Sequence, residues 1–234
     1  MIRTASLFCF LLIGSFAHCQ EEAWVDLFDG VSLDGWTQRG GEAEYTIGSD
    51  TDGGPMIVGT AVANTPNSFL CTDKDYADFA LEFEVKVDPP LNSGVQFRSL
   101  CHENDVEITY QEGDEERSKR IPAGRVHGYQ AEIDPTDRAF SGGVYDEARR
   151  GWIYRPEGPD HVEARAAFDI GGWNNYRIEA VGDQIRTFVN GVPVADFIDE
   201  MTAEGFIALQ VHSIRNESEV GKQIRWRNVR ISER

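Results

Sequence analysis

Alternation of apolar and polar residues at a period of two dominates this chain. Its clearest run is Phe79 to Val87, where Phe79, Leu81, Phe83, Val85 and Val87 alternate with Ala80, Glu82, Glu84 and Lys86. That pattern predicts a strand with one buried and one wet face. Pro89-Pro90 ends it, and Asn92-Ser93-Gly94 turns the chain into a second run, in which Val95 and Phe97 point inward while Gln96 and Arg98 share the opposite face. Gly128 to Asp134 repeats the arrangement, with Tyr129, Ala131 and Ile133 opposed by Gln130, Glu132 and Asp134. So does Phe206 to His212, with Ile207, Leu209 and Val211 opposed by Ala208, Gln210 and His212.

Shorter β-prone pieces occur at Trp24 to Phe28, Ala43 to Ile47, Met56 to Val58, Ser68 to Cys71 and Gly151 to Tyr154. Gly182-Asp183 and Asn190-Gly191 predict hairpins, the second of type I′. The last run, Ile224 to Ile231, changes phase near Arg227 and Asn228, which predicts a bulge. Only Asp199 to Glu204 suggests a short helix. Many short strands joined by Gly, Asn, Asp and Pro turns predict an all-β fold, a jelly-roll sandwich of two antiparallel sheets. The stretch from Cys101 to Gly124 is polar and acidic, and is expected to be a long surface insertion.

The first residues read differently. An apolar run from Ala5 to Phe16 leads to Ala17-His18-Cys19, the pattern of a signal peptide cut before Gln20. Lipid attachment at Cys19 is the rival, although His18 is a poor fit to the small residue that processing prefers. Residues 1–19 are thus expected to be removed and the protein to be secreted or periplasmic. This leaves roughly 215 of the 234 residues, a size that one all-β domain fills. No later apolar run is long enough for a membrane helix. A formal charge of -18 disfavours nucleic acid and anionic membranes as partners and suits a neutral one such as a carbohydrate.

Of the four cysteines, Cys9 and Cys19 fall in the presumed signal. In an oxidising compartment Cys71 and Cys101 are expected to form a disulfide, with two buried thiols as the alternative.

Gln96 with Arg98, Gln130 with Glu132 and Asp134, and Gln210 with His212 would converge on one surface if their strands share a sheet. A sheet face can simply be wet. Amides, carboxylates, Arg and His beside Tyr and Trp, however, resemble a sugar site, in which polar groups bind hydroxyls and rings stack on the sugar. His212 is the natural proton acceptor, with its near-neutral reference pKa. Glu132, Asp134 and His212 could hold a divalent ion if they meet. There is no phosphate-binding loop and no G-x-S-x-G elbow.

Several segments, taken in order, resemble the bacterial 3-keto-disaccharide hydrolase domain family. They are Leu27-Phe28-Asp29-Gly30 with Leu33-Asp34-Gly35-Trp36, Asn92 to Arg98, Gly128 to Asp134, Gly142 to Tyr145, Trp173-Asn174, Asn190-Gly191, Gly205 to His212, and Trp226 to Ile231. The resemblance implies a concanavalin-A-like sandwich, export, and action on glycosides whose C3 hydroxyl has been oxidised to a ketone by a partner dehydrogenase. Such a ketone acidifies the C2 proton, so that a base can drive elimination at C1 before water adds. On that footing His212 or Glu132 is the expected base. Arg98 with Gln130 or Gln210 would stabilise the enolate, Tyr145 would protonate the leaving group, and Gln96, Asp134 and Trp152 would bind sugar. Glu132-Ile133-Asp134 also resembles the start of the Glu-Ile-Asp-x-x-Glu motif of retaining endoglucanases, but Asp137 stands at the third position and Pro135 intervenes. A non-catalytic carbohydrate-binding module is a third possibility.

Overall fold

The computed structural model describes residues 23–234, so the presumed signal peptide lies outside the described residues. Its strands are β1 (Val25–Asp26), β2 (Trp36–Gly40), β3 (Glu44–Ser49), β4 (Pro55–Thr60), β5 (Ser68–Thr72) and β6 (Phe79–Val87). There follow β7 (Ser93–Leu100), β8 (Val106–Glu112), β9 (Glu115–Ile121), β10 (His127–Ile133), β11 (Val144–Glu147) and β12 (Gly151–Tyr154). The chain ends with β13 (Asn174–Val181), β14 (Gln184–Val189), β15 (Val192–Ile198), β16 (Phe206–Val211) and β17 (Gln223–Glu233).

An eight-stranded antiparallel sheet has the order β15-β14-β13-β6-β17-β4-β3, with β1 on β17. It packs on a seven-stranded sheet of order β12-β11-β10-β7-β16-β5-β2, and together they make a concanavalin-A-like jelly roll. The inward residues predicted from alternation fill the space between them: Leu81, Phe83, Val95, Phe97, Tyr129, Ile133, Ile207 and Leu209 are all in the core. Phe83 stacks on Tyr176 with ring centroids 5.1 Å apart, and Phe97 on Tyr129 at 5.4 Å. Each such pair adds about 0.5–1.5 kcal/mol beyond burial alone. Tyr176 also reaches across the core, its hydroxyl donating to the Glu132 carbonyl at 3.1 Å, and so ties the seven-stranded sheet to the other near the end of β10.

Asn190 and Gly191 both take positive φ, 50° and 80°, as a type I′ hairpin requires. The bulge in β17 is present, with a register shift between Arg227 and Arg230 and Asn228 at φ 52°.

Two expectations are corrected, and the surface insertion takes a defined form. Residues 199–204 form bends rather than a helix, because Asp199 is drawn into ion pairing with Arg150 and Glu204 leads directly into β16. The α-helix of the described residues is instead α1 (Val162–Ala166). The polar stretch 101–124 is an ordered hairpin of β8 and β9 outside both main sheets. Its Lys119 Nζ donates to the Arg149 carbonyl at 2.8 Å, pinning the arm beside the β11–β12 turn. Finally, Cys71 and Cys101 are free thiols. Cys71 lies on β5 and Cys101 just past β7, and β16 runs between those strands. Two strand spacings, about 9–10 Å, exceed the Cα separation a disulfide tolerates.

Candidate active site: a polar groove on the seven-stranded sheet

β10, β7 and β16 are neighbours, so the polar sets do meet. Register places Gln130 opposite both Gln96 and Tyr145, and Gly94 opposite both Glu132 and Gln210. The resulting face is far from wet: Gln96 and Gln210 are fully buried, and Gln130, Glu132 and Asp134 expose 3%, 4% and 2%. Buried polar groups cost free energy unless bonded, and these bond to one another. Gln96 Nε2 and Gln210 Nε2 both donate to Gln130 Oε1, at 2.7 and 2.8 Å, and Gln130 Nε2 donates to Glu132 Oε2 at 3.0 Å. Gly94 makes this possible, since a Cβ there would stand 2.5 Å from the Gln130 side chain. Gln210 Oε1 is buried with no partner among the described residues, an acceptor left for a ligand hydroxyl.

Above this floor is a groove of about 790 Å³, lined by Gln130, Glu132, Asp134, Tyr145, Trp152, Gln210 and His212 among others. That volume suits a sugar or disaccharide. Gln96 lies beneath the floor as a support. Trp152 stands at the side, edge-on to Tyr145 and Phe140.

Arg98 is not in the groove. β7 bulges at this point, with Phe97 paired to Tyr129 but Leu100 to His127, and Arg98 takes φ 44°. The bulge hands the groove side to Ser99, whose hydroxyl donates to Gln96 Oε1 at 3.0 Å. Arg98 turns away, 1% exposed, to donate to the carbonyls of Ala77 and Gly182 at 2.7 and 2.8 Å and to Asp78 at 3.0 Å.

The guanidinium beside the β10 carboxylates is Arg138. Its Nη2 donates to Glu132 Oε1 at 2.7 Å and its Nε to Asp134 Oδ2 at 2.8 Å, leaving Nη1 to donate elsewhere. Asn92 Nδ2 donates to the same Glu132 oxygen at 2.7 Å. Burial nevertheless dominates at Glu132 and lifts its pKa from 4.5 to about 7, against the pull of Asn92, Arg138 and Gln130. Asp134 goes the other way. Burial pushes it up, but Thr136, Arg138 and the backbone N–H of Phe140 outweigh it and hold the carboxyl below its usual range.

His212 Nδ1 lies 2.7 Å from the Ser213 carbonyl. A carbonyl only accepts, so Nδ1 carries the proton and Nε2 the lone pair in the neutral ring. Burial, with Arg138 nearby, lowers the imidazole pKa and keeps it neutral at pH 7. Burial and the neighbouring Glu147 raise the pKa of the Tyr145 hydroxyl.

The groove also holds Asn67, Asn92, Arg125, Arg138 and Glu147, none of them singled out from the sequence. Glu147 shares a strand face with Tyr145 at a period of two, the one signal that could have found it. Arg138 follows Pro135 in a turn, where no periodicity marks it. The proposed metal ligands do not fit a divalent ion. Among the described residues no three His, Cys, Asp or Glu side chains are grouped to hold one, and Arg138 already supplies the positive charge between Glu132 and Asp134.

Solved structures of similar fold include the carbohydrate-binding module CBM66 from Bacillus subtilis, 16% identical with TM-score 0.53, covering 85% of this chain and 96% of that one. A protein of Parabacteroides distasonis described as a glycosyl hydrolase is 18% identical with TM-score 0.52, covering 90% and 94%. A Bacillus subtilis protein of unknown function with a galectin-like fold is 10% identical with TM-score 0.55, covering 86% and 90%. No curated protein matches by sequence. The model of one carbohydrate-active family, the 3-keto-alpha-glucoside-1,2-lyase-like domains, matches residues 23–232, and the chain belongs to that family.

Proposed function

We propose that the groove binds a 3-keto-glycoside or 3-keto-disaccharide, removes its C2 proton, expels the C1 substituent and then hydrates the product. The observation that carries this is His212: its Nε2 lone pair is free, and it lies near Arg138 above a floor of buried amides. Base and guanidinium would then address adjacent atoms, the C2 proton and the C3 oxygen. Arg138 takes the part expected of Arg98, stabilising the enolate as charge moves onto that oxygen. Gln130 and Gln210 bind hydroxyls, and Trp152 flanks the ring. A proton donor on β11, Tyr145 or its neighbour Glu147, serves the leaving oxygen. The ketone would come from a separate sugar C3-oxidising dehydrogenase, and the pathway would operate after export.

Incubation with 3-keto-trehalose and 3-keto-glucosides beside their unoxidised parents tests this. Cleavage confined to the keto sugars is expected, and equal cleavage of both would sink the mechanism.

Gln210 Oε1 and the amide floor favour one other reading, a binding module without turnover. Replacing His212 and Glu132 by Ala distinguishes them, since a module keeps much of its sugar affinity while the enzyme loses turnover. Endoglucanase-like use of Glu132 and Asp134 has less support, because Asp134 accepts from Thr136, Arg138 and the Phe140 N–H and is not free to attack.

A further inference from the structure

Glu147 is a second buried carboxylate in the groove. It stands on β11 two residues after Tyr145, on the same face, and is 6% exposed. Its register partner on β10 is Gly128, so no side chain of that strand stands beside it. Arg125 pairs with it, and Lys119 and Asp146 are its other charged neighbours.

Asn67 connects Glu147 to the opposite wall. The Asn67 side chain lies beside Glu147 and lowers its pKa, while its Oδ1 accepts from the Ser213 N–H at 2.9 Å, next to the carbonyl that orients His212. β11 and β5 are four places apart in the sheet, so the sheet curls enough to bring these walls together.

Building on the function proposed above, we infer that Glu147 is the general acid and base at C1, facing His212 across the sugar. In the elimination the C2–H proton passes to His212 Nε2, its electron pair becomes the C1=C2 bond, and the C1–O bond breaks. The departing oxygen takes the Glu147 carboxyl proton. In the hydration Glu147 accepts a proton from the water whose oxygen bonds C1, and His212 returns its proton to C2. Both residues regain their starting states, and the net change is addition of water across the glycosidic bond.

One group must therefore give a proton and later take one. A carboxyl can do both, and burial raises that of Glu147 above its ordinary range while Arg125 stands by to stabilise the carboxylate. The Tyr145 hydroxyl, itself raised, gives its proton far less readily.

The test compares Glu147→Gln with wild type on 3-keto-glucosides bearing methyl or 4-nitrophenyl aglycones, following aglycone release in a single turnover. A methoxide needs a proton to leave, and nitrophenolate does not. The expected loss is about 10²- to 10⁴-fold on the methyl glycoside and under about tenfold on the nitrophenyl one. Tyr145→Phe should slow both alike. If Glu147→Gln does not fold, Glu147→Asp should give a smaller split of the same sense. Equal losses on both aglycones, no loss, or a split in Tyr145→Phe instead would overturn the assignment while the proposed function stood. Wild-type inactivity on both keto sugars would overturn the two together.

Discussion

Glu132 offers a prediction in which two opposed effects are weighed directly. Burial raises its pKa, whereas Asn92, Arg138 and Gln130 lower it, and burial wins, so the carboxyl titrates near 7 rather than 4.5. At 1.36 kcal/mol per pKa unit, that displacement corresponds to about 3 kcal/mol. The sign follows from linkage: an acid whose pKa is raised by folding favours the folded state when protonated. Its contribution is fully present below pH 4.5 and is lost as pH rises through about 7. Glu132→Gln keeps the shape and cannot titrate. Denaturant unfolding of both proteins from pH 4 to 8 should therefore show wild type losing up to about 3 kcal/mol relative to the variant, mostly between pH 5 and 7. A constant offset between the two is unimportant. A difference independent of pH, or wild type gaining relative to Glu132→Gln as pH rises, would refute the reasoning and mean that the Arg138 pairing outweighs burial.

Arg98→Met should cost about 2–6 kcal/mol, at about 1–3 kcal/mol for each buried group left unsatisfied, as it leaves the carbonyls of Ala77 and Gly182 without their donor. The folded fraction should keep its kcat on a 3-keto-glucoside, and a selective loss of kcat would return Arg98 to the site. His212 must be neutral to act, so kcat/KM should fall on acidification only below the ordinary 6.5, since burial lowers its pKa. A pH–rate profile checks this, and an acid limb above 6.5 would contradict it. Because Cys71 and Cys101 are free thiols, a reductant should leave Tm unchanged. A drop of several degrees in differential scanning calorimetry would point to a bridge.

The period of two in β6, β7, β10 and β16 was enough to assign their inward faces, because side-chain direction along a strand is a local property. The same periodicity named Gln130, Glu132, Gln210 and His212 as residues of one kind of surface. It failed at Arg98, where a bulge that depends on both neighbouring strands reverses the side chain. It was silent about Arg138, which sits in a turn and reaches back to carboxylates on β10. The insertion at 101–124 was legible from its polar composition, but its strands β8 and β9 were not, because they face solvent and lack the apolar alternation that marks a buried sheet.

From the sequence came the fold class, the strands marked by apolar alternation and the hairpin turns at Gly182-Asp183 and Asn190-Gly191, all of which depend on residues close together in the chain. Tertiary structure decided which arginines line the groove, that the polar face is buried, that Cys71 and Cys101 stay apart, and that Glu147 lines the same groove as His212. Each of these depends on strand order and sheet curvature, which bring together residues far apart in the chain.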